Sequence, residues 1–156
     1  MTMKKPILYF DMDGTITDLY SFNNWLEYLH KELVKPYRNA APLVDTKRAN
    51  SLMRYLRMRG YQFSVITWCS MNSRVEYERR TKRAKADWLH AWFPGIFFEN
   101  KMVSYGVPKH SLVNAKGNYL FDDNAEVGKA WEAAGGIWVN AKENNIVDVL
   151  EELAAA

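Results

Sequence analysis

The chain has a single cysteine, Cys69, among 156 residues. A lone thiol excludes an internal disulfide framework and any cysteine-built zinc cluster. Nowhere does the sequence reach the roughly 20 consecutive apolar residues that span a bilayer, so no membrane partner is expected. The apolar stretch behind Lys4 and Lys5 stops at Asp11. That is too short for a secretory leader with its cleavage site, and the cytoplasm is the expected compartment. Charge of one sign is also scarce, with a net charge of only +3. The basic run Arg79-Arg80-Thr81-Lys82-Arg83 is preceded by Glu76 and Glu78, which reads as a solvated helix face rather than a nucleic-acid surface. The three histidines, His30, His90 and His110, have no metal-ligand spacing. There are no repeats or low-complexity tracts. What remains, 48% hydrophobic and 25% charged, suits one globular domain over residues 1–156 with an ordinary core.

Strand-like and helix-like segments alternate, which predicts βαβ units around a mostly parallel sheet of about five strands. Strands are expected near Ile7–Asp11, Phe63–Thr67, from Ile96-Phe97-Phe98, at Tyr119–Phe121 and at Ile137–Val139. Phe22, Trp25, Leu26, Leu29 and Leu33 recur at helical spacing and stop before Pro36. A proline-punctuated linker follows to Pro42, then a helix carrying Ala49, Leu52, Met53 and Leu56 that Gly60 stops. Ser73 and Glu76 have capping-box spacing for a long helix to about Trp92, with Tyr77, Ala84, Trp88 and Trp92 as its apolar stripe. Further helices are expected near Ala125–Ala134 and Ile146–Leu153.

Two of the apolar runs end in paired acids. Ile7-Leu8-Tyr9-Phe10 leads into Asp11-Met12-Asp13-Gly14-Thr15, and Tyr119-Leu120-Phe121 leads into Asp122-Asp123. Carboxylates at the carboxyl ends of parallel strands lie where open α/β sheets bind ligands. Two such ends, far apart in sequence, point to one hard-cation site with a nucleophilic carboxylate. Thr67 closes a strand of its own, so it reaches the same edge. Lys109, in Val107-Pro108-Lys109-His110, precedes the fourth strand; Lys101 and Lys116 are its rivals. Asp123 either joins the acidic group or caps the helix starting near Ala125.

In this order the motifs resemble those of the haloacid dehalogenase-like phosphohydrolase superfamily: Asp11-Met12-Asp13-Gly14-Thr15-Ile16, Val65-Ile66-Thr67, Lys109, and Leu120-Phe121-Asp122-Asp123. The resemblance implies a doubly wound Rossmann-like core and Mg²⁺-dependent hydrolysis of a phosphate monoester through an aspartyl-phosphate. It implies Asp11 as nucleophile and metal ligand. Asp13 would be general acid and base, and a ligand through its backbone carbonyl. Asp122 and Asp123 would complete the metal site. Thr67 and Lys109 would contact the phosphoryl oxygens, and Gly14 would turn the chain and present amides to them.

The superfamily selects substrates largely with inserted caps. Only a small helical insert, about residues 19–45, fits here. Asp-Met-Asp-Gly, the Lys85-Ala86-Asp87-Trp88-Leu89 helix and Phe93-Pro94 are similar to the 5′(3′)-deoxyribonucleotidase group. A nucleotide is therefore the expected partner, with Trp68, Phe22 or Trp25 available to stack on a base. Trp68, directly after Thr67, is the aromatic expected to line the substrate site. Hydrolysis at nucleic-acid ends or on another phosphorylated macromolecule, and non-catalytic binding of a phospholigand, are the competing expectations.

Overall fold

The computed structural model describes residues 4–156 and contains one five-stranded, all-parallel sheet in the order β3-β2-β1-β4-β5. The strands are β1 (Ile7–Phe10), β2 (Gln62–Trp68), β3 (Lys101–Val103), β4 (Tyr119–Asp122) and β5 (Ile137–Asn140). Helices α1 (Trp25–His30), α2 (Lys35–Asn39), α3 (Thr46–Met58), α4 (Val75–Trp92), α5 (Ala125–Ala133) and α6 (Ile146–Ala155) connect or flank them. This is a doubly wound, Rossmann-like α/β fold. Met1–Met3, the start of the segment weighed as a leader, lie outside the described residues. No helix among the described residues is long and apolar enough to cross a membrane.

Strand β1 is central and buried on both faces, which is why its sequence is a continuous apolar run. Leu8 and Phe10 pack into one core with Leu52, Met53 and Leu56 of α3 and Leu150 of α6. Tyr9 packs with Leu120 and Trp131 in a second core that includes α5. Phe10 stacks on Phe121 at 4.3 Å between ring centroids, a pair contributing about 0.5–1.5 kcal/mol beyond its buried area.

The register delivers the acids to one place. Phe10 lies opposite Phe121 on one side and Val65 on the other. The Asp11 N–H donates to the Phe121 carbonyl at 2.9 Å, so the chain leaves the sheet at Asp11 directly beside Asp122. From β1 the chain winds outward through β2 and β3, then returns to the far side for β4 and β5. The β1–β4 boundary is therefore the switch point, where such sheets open a crevice.

Three local expectations are corrected. Ile96-Phe97-Phe98 is not a strand: Ile96 and Phe97 are buried in the first core, a single backbone bond joins the Phe98 N–H to the Phe63 carbonyl at 3.0 Å, and the ladder with β2 starts at Lys101 opposite Ile66. The Asn100 side chain accepts the Val65 N–H at 2.9 Å instead, taking the place of a strand neighbour. A short apolar run serves a buried turn as well as a strand. The helix expected through Leu33 ends at His30, because Glu32 turns the chain with φ +56°, and the supposed linker contains α2. The Ser73–Glu76 capping box does not form, since the Ser73 hydroxyl donates to the Ser70 carbonyl at 2.6 Å and Arg74 is the N-cap residue.

Candidate active site

Asp11 follows β1 and Asp122 ends β4. Lys109, in a 3-10 turn (Lys109–Ser111), reaches both, with Nζ 2.9 Å from Asp11 Oδ1 and 2.8 Å from Asp122 Oδ2. It is 3% exposed, whereas Lys101 and Lys116 are exposed on the surface. The other Asp122 oxygen accepts the Asn124 N–H at 2.9 Å, and Trp138 Nε1 donates to its carbonyl at 3.0 Å. Gly128 on α5 makes that approach possible, because a Cβ there would overlap the Trp138 ring. The cap of α5 is Asn124, whose side chain accepts the Glu126 and Val127 N–H groups. Asp123 is thus not the cap. The Thr15 hydroxyl lies 3.3 Å from Asp11 Oδ2 and 3.4 Å from Asp123 Oδ1.

Carboxylate oxygens of Asp11, Asp122 and Asp123 lie within 4.8 Å of one another. Burial first, and the charge of Asp11 second, hold the Asp122 and Asp123 carboxyls above the ordinary carboxylate range. Lys109 alone does not offset three clustered acids. Hard oxygen donors at this spacing fit a divalent cation such as Mg²⁺, which would relieve their repulsion. The Asp13 carboxylate is not in this cluster.

Asp13 instead faces a second buried lysine. Lys85 of α4 places Nζ 2.7 Å from Asp13 Oδ2, 2.7 Å from Thr67 Oγ1 and 2.9 Å from the Trp68 carbonyl. Burial raises the Asp13 carboxyl against the opposing pull of Lys85, which favours the protonated form of that acid. Thr67 is fully buried and, unlike Asp11, Asp13, Trp68 and Lys109, is not among the residues lining the cavity above the strand ends.

Gly14 adopts φ +82°, and a Cβ there would overlap the Asp123 carboxylate. Its own N–H donates to the Thr17 carbonyl at 2.9 Å. The turn is satisfied internally, and the part Gly14 plays is close approach.

The cavity measures about 550 Å³, within the usual range for small-molecule sites. Its floor is Asp11, Asp13, Lys109, Asp122 and Asp123; its walls include Tyr20, Trp25, Tyr37, Trp68, Tyr77 and Tyr105. Trp68 Nε1 donates to the Val107 carbonyl at 2.8 Å, and its ring lies 5.3 Å from Lys109 Nζ. This aromatic therefore holds the segment that delivers Lys109. Phe22 is absent from the lining and packs edge-on against Tyr28.

Residues 19–45 leave the core and return beside their own start. The Asp18 N–H donates to the Ala41 carbonyl at 2.8 Å, and the Leu43 N–H to the Ile16 carbonyl at 2.8 Å. Leu19 and Tyr37 form a separate apolar cluster with Tyr77 and Ala84 of α4. Tyr77 and Trp88 donate to the Leu33 and Ala40 carbonyls at 2.9 and 2.8 Å.

Lys85 was given no role by its residue type. A signal was nevertheless present: it sits four residues after Thr81 and three before Trp88, on the buried stripe of α4. A lysine on such a stripe must meet acids or acceptors. The lining tyrosines carried no comparable signal.

No family model and no curated protein matches the chain. Among solved structures, it is similar to D,D-heptose 1,7-bisphosphate phosphatase from Burkholderia thailandensis. The TM-score is 0.53 at 16% identity, covering 85% of this chain and 75% of that one. A haloacid dehalogenase (HAD) family enzyme from Bacteroides thetaiotaomicron, solved as a mutant with magnesium and inorganic phosphate, gives 0.48 at 13% identity. That match covers 86% of this chain and 93% of the other. The first likeness shows a shared fold.

Proposed function

We propose that the protein is a Mg²⁺-dependent phosphomonoester hydrolase of the haloacid dehalogenase type, acting through an aspartyl-phosphate on nucleoside monophosphates. The observation that carries this reading is the meeting of Asp11, Asp122 and Asp123 around one buried lysine, with the Asp13 carboxyl, raised by burial, beside them. The phosphatase activity of the heptose bisphosphate enzyme that shares the fold supports the reaction class.

Asp11, Asp122 and Asp123 would hold the cation, with the Asp13 backbone carbonyl. Such an ion, Mg²⁺, would supply positive charge against the phosphoryl oxygens, so that an anion could approach a carboxylate. The Asp11 oxygen not given to the cation attacks phosphorus while the P–O bond to the alcohol breaks. Asp13 gives its proton to the departing oxygen. Asp13 then removes a proton from water as that water attacks phosphorus, releasing inorganic phosphate and restoring Asp11. Lys109 donates two N–H groups to Asp11 and Asp122, which leaves its third for a phosphoryl oxygen.

The cavity supports a small substrate with one phosphate. Lys109 is the only lysine or arginine in its lining among the described residues, and Glu32 lies in that same lining. A second phosphate would therefore find no second lysine or arginine in that lining. The aromatic walls, with Trp25 and Trp68 available for stacking, suit a nucleobase. Residues 19–45 act in this reading as a small cap within a single domain. Part of the basic charge on and before α4 is paired, with Arg79 bound to Glu76, Lys82 to Glu78 and Arg74 to Glu32. That pairing argues against a nucleic-acid end as substrate. A cytoplasmic setting completes the reading.

The test is phosphate release from nucleoside monophosphates, nucleoside bisphosphates, sugar phosphates and phosphorylated oligonucleotide ends, with Mg²⁺ or chelator. Monophosphates should be turned over in Mg²⁺ alone, and Asp11→Asn should lose on the order of 10⁴-fold or more in kcat. Full turnover by Asp11→Asn would remove the covalent mechanism. Preference for oligonucleotide ends would replace the substrate.

A further inference from the structure

The mechanism above employs one buried lysine, but the site contains two, and their hydrogen bonds divide them. An ammonium group has three N–H donors and no acceptor. All three on Lys85 are committed inside the protein, at 2.7 Å to Asp13 Oδ2, 2.7 Å to Thr67 Oγ1 and 2.9 Å to the Trp68 carbonyl. Lys85 is 1% exposed and does not line the cavity, and the Tyr37 ring lies 5.0 Å from its Nζ. It has neither a donor nor an opening to offer a substrate. Lys109, by contrast, spends two donors and lines the cavity.

We propose that Lys85 is a positioning residue that assigns different tasks to the two oxygens of Asp13. Oδ2 is anchored by the ammonium. Oδ1 is buried and has no hydrogen-bond partner among the described residues, but unlike Lys85 its residue lines the cavity, so it is the oxygen left to carry the proton to the ester oxygen. Without the anchor, Asp13 can rotate and offer either oxygen in the wrong direction, which for a group in direct contact with the reacting atoms is costly in rate.

Thr67 takes a new part under this proposal. It is enclosed with Lys85, and because the ammonium only donates, Thr67 Oγ1 accepts. The strand-end hydroxyl thus steers the lysine, which in turn steers the acid. Thr67 and the Trp68 carbonyl both belong to β2, so that strand sets the direction of an aspartate carried on the turn after β1.

The inference rests on the proposed hydrolase activity, and a comparison of leaving groups separates the two. Protonation by Asp13 matters most when the departing alcohol is a poor leaving group and least when it is a stabilised phenolate. Single-turnover release of the alcohol would be followed for a nucleoside monophosphate and for para-nitrophenyl phosphate, in saturating Mg²⁺. The proteins would be wild type, Lys85→Met, Lys85→Arg and Thr67→Val. Lys85→Met should lose about 10²–10⁴-fold with the nucleotide, the usual contribution of a placed acid, and less than about 10-fold with the aryl ester. KM should change little for either. Thr67→Val should show the same leaving-group dependence at smaller size, and Lys85→Arg should recover part of the loss.

Should Lys85→Met fail to fold, Thr67→Val and Lys85→Arg carry the test. Equal losses with both esters, or no loss with either, would overturn the positioning role while leaving the hydrolase in place. Absence of turnover by the wild type on every monoester overturns the hydrolase reading itself.

Discussion

The floor and the wall of the cavity are built on different principles. The floor joins two strand ends, at residues 11 and 122, to a turn at residue 109, and these three side chains are almost completely enclosed. Asp11 and Asp122 share Lys109, and these two acids are placed by the register of β1 against β4. The wall is made largely of residues 19–45 and the segment after β2, held by packing against α4 and by bonds to main-chain carbonyls. It is partly exposed, as at Tyr20 and Leu26, 53% and 48% accessible. A floor of buried charges should be sensitive to metal, pH and any loss of a partner. An aromatic wall should be indifferent to all three and should govern only what is held above the floor.

The largest break in that contrast comes from Lys109→Met. Removing one member of a buried ion pair leaves uncompensated charge and costs about 3–5 kcal/mol. Here Asp11 and Asp122 both lose their partner. Chemical denaturation of the metal-free variant should show a loss of that order, and added Mg²⁺ should recover part of it by taking over the carboxylates. A variant as stable as wild type without metal would mean that the floor is not held by this charge balance.

A second consequence concerns pH. Asp122 is pushed up to about 7 and Asp123 to about 6, chiefly by burial and then by Asp11. For groups whose folded pKa lies above the unfolded value, the favourable contribution is complete below the unfolded pKa and is lost as pH rises through the folded one. The metal-free protein should therefore lose stability, relative to Asp122→Asn, as pH rises from about 4 to about 7. Mg²⁺ should raise the melting temperature more at about pH 8 than at about pH 5, since its ligands must be deprotonated. Calorimetry across that range is the check, and a metal-free difference that grows in favour of wild type with rising pH would contradict it.

The wall should give the smallest effect and one of a different kind. Trp25→Ala removes a stacking surface worth about 1–3 kcal/mol per base. KM for a nucleoside monophosphate should rise about 5- to 100-fold, with little change in kcat, in the Mg²⁺ requirement or in turnover of inorganic-like small esters. Steady-state kinetics on the two substrate types would show it. A matching fall in kcat for small esters would mean that wall and floor are not separable in this way.

Much of this architecture was legible because it depends on local pattern. An apolar run that ends in Asp11-Met12-Asp13-Gly14, and another that ends in Asp122-Asp123, locate strand ends without any knowledge of their neighbours. Lys109 stood among three candidate lysines, and burial distinguishes it from Lys101 and Lys116. The Ile96–Phe98 run was misread for a general reason. Apolar composition reports burial, and both a strand and a core turn are buried. The break at His30 was equally hidden, since the left-handed turn at Glu32 has no glycine or asparagine to announce it.

What the sequence by itself determined is the alternation of strands and helices around a parallel sheet and the acidic ends of β1 and β4, because periodicity and strand termination are properties of neighbouring residues. What only the tertiary structure decided is which charges share which oxygens: Lys109 with Asp11 and Asp122, Lys85 with Asp13 and Thr67, Asn124 rather than Asp123 at the cap of α5. Those pairings join residues as far as 98 positions apart. They follow from buried donors and acceptors having to satisfy one another once the sheet has closed around them, a condition no local pattern encodes.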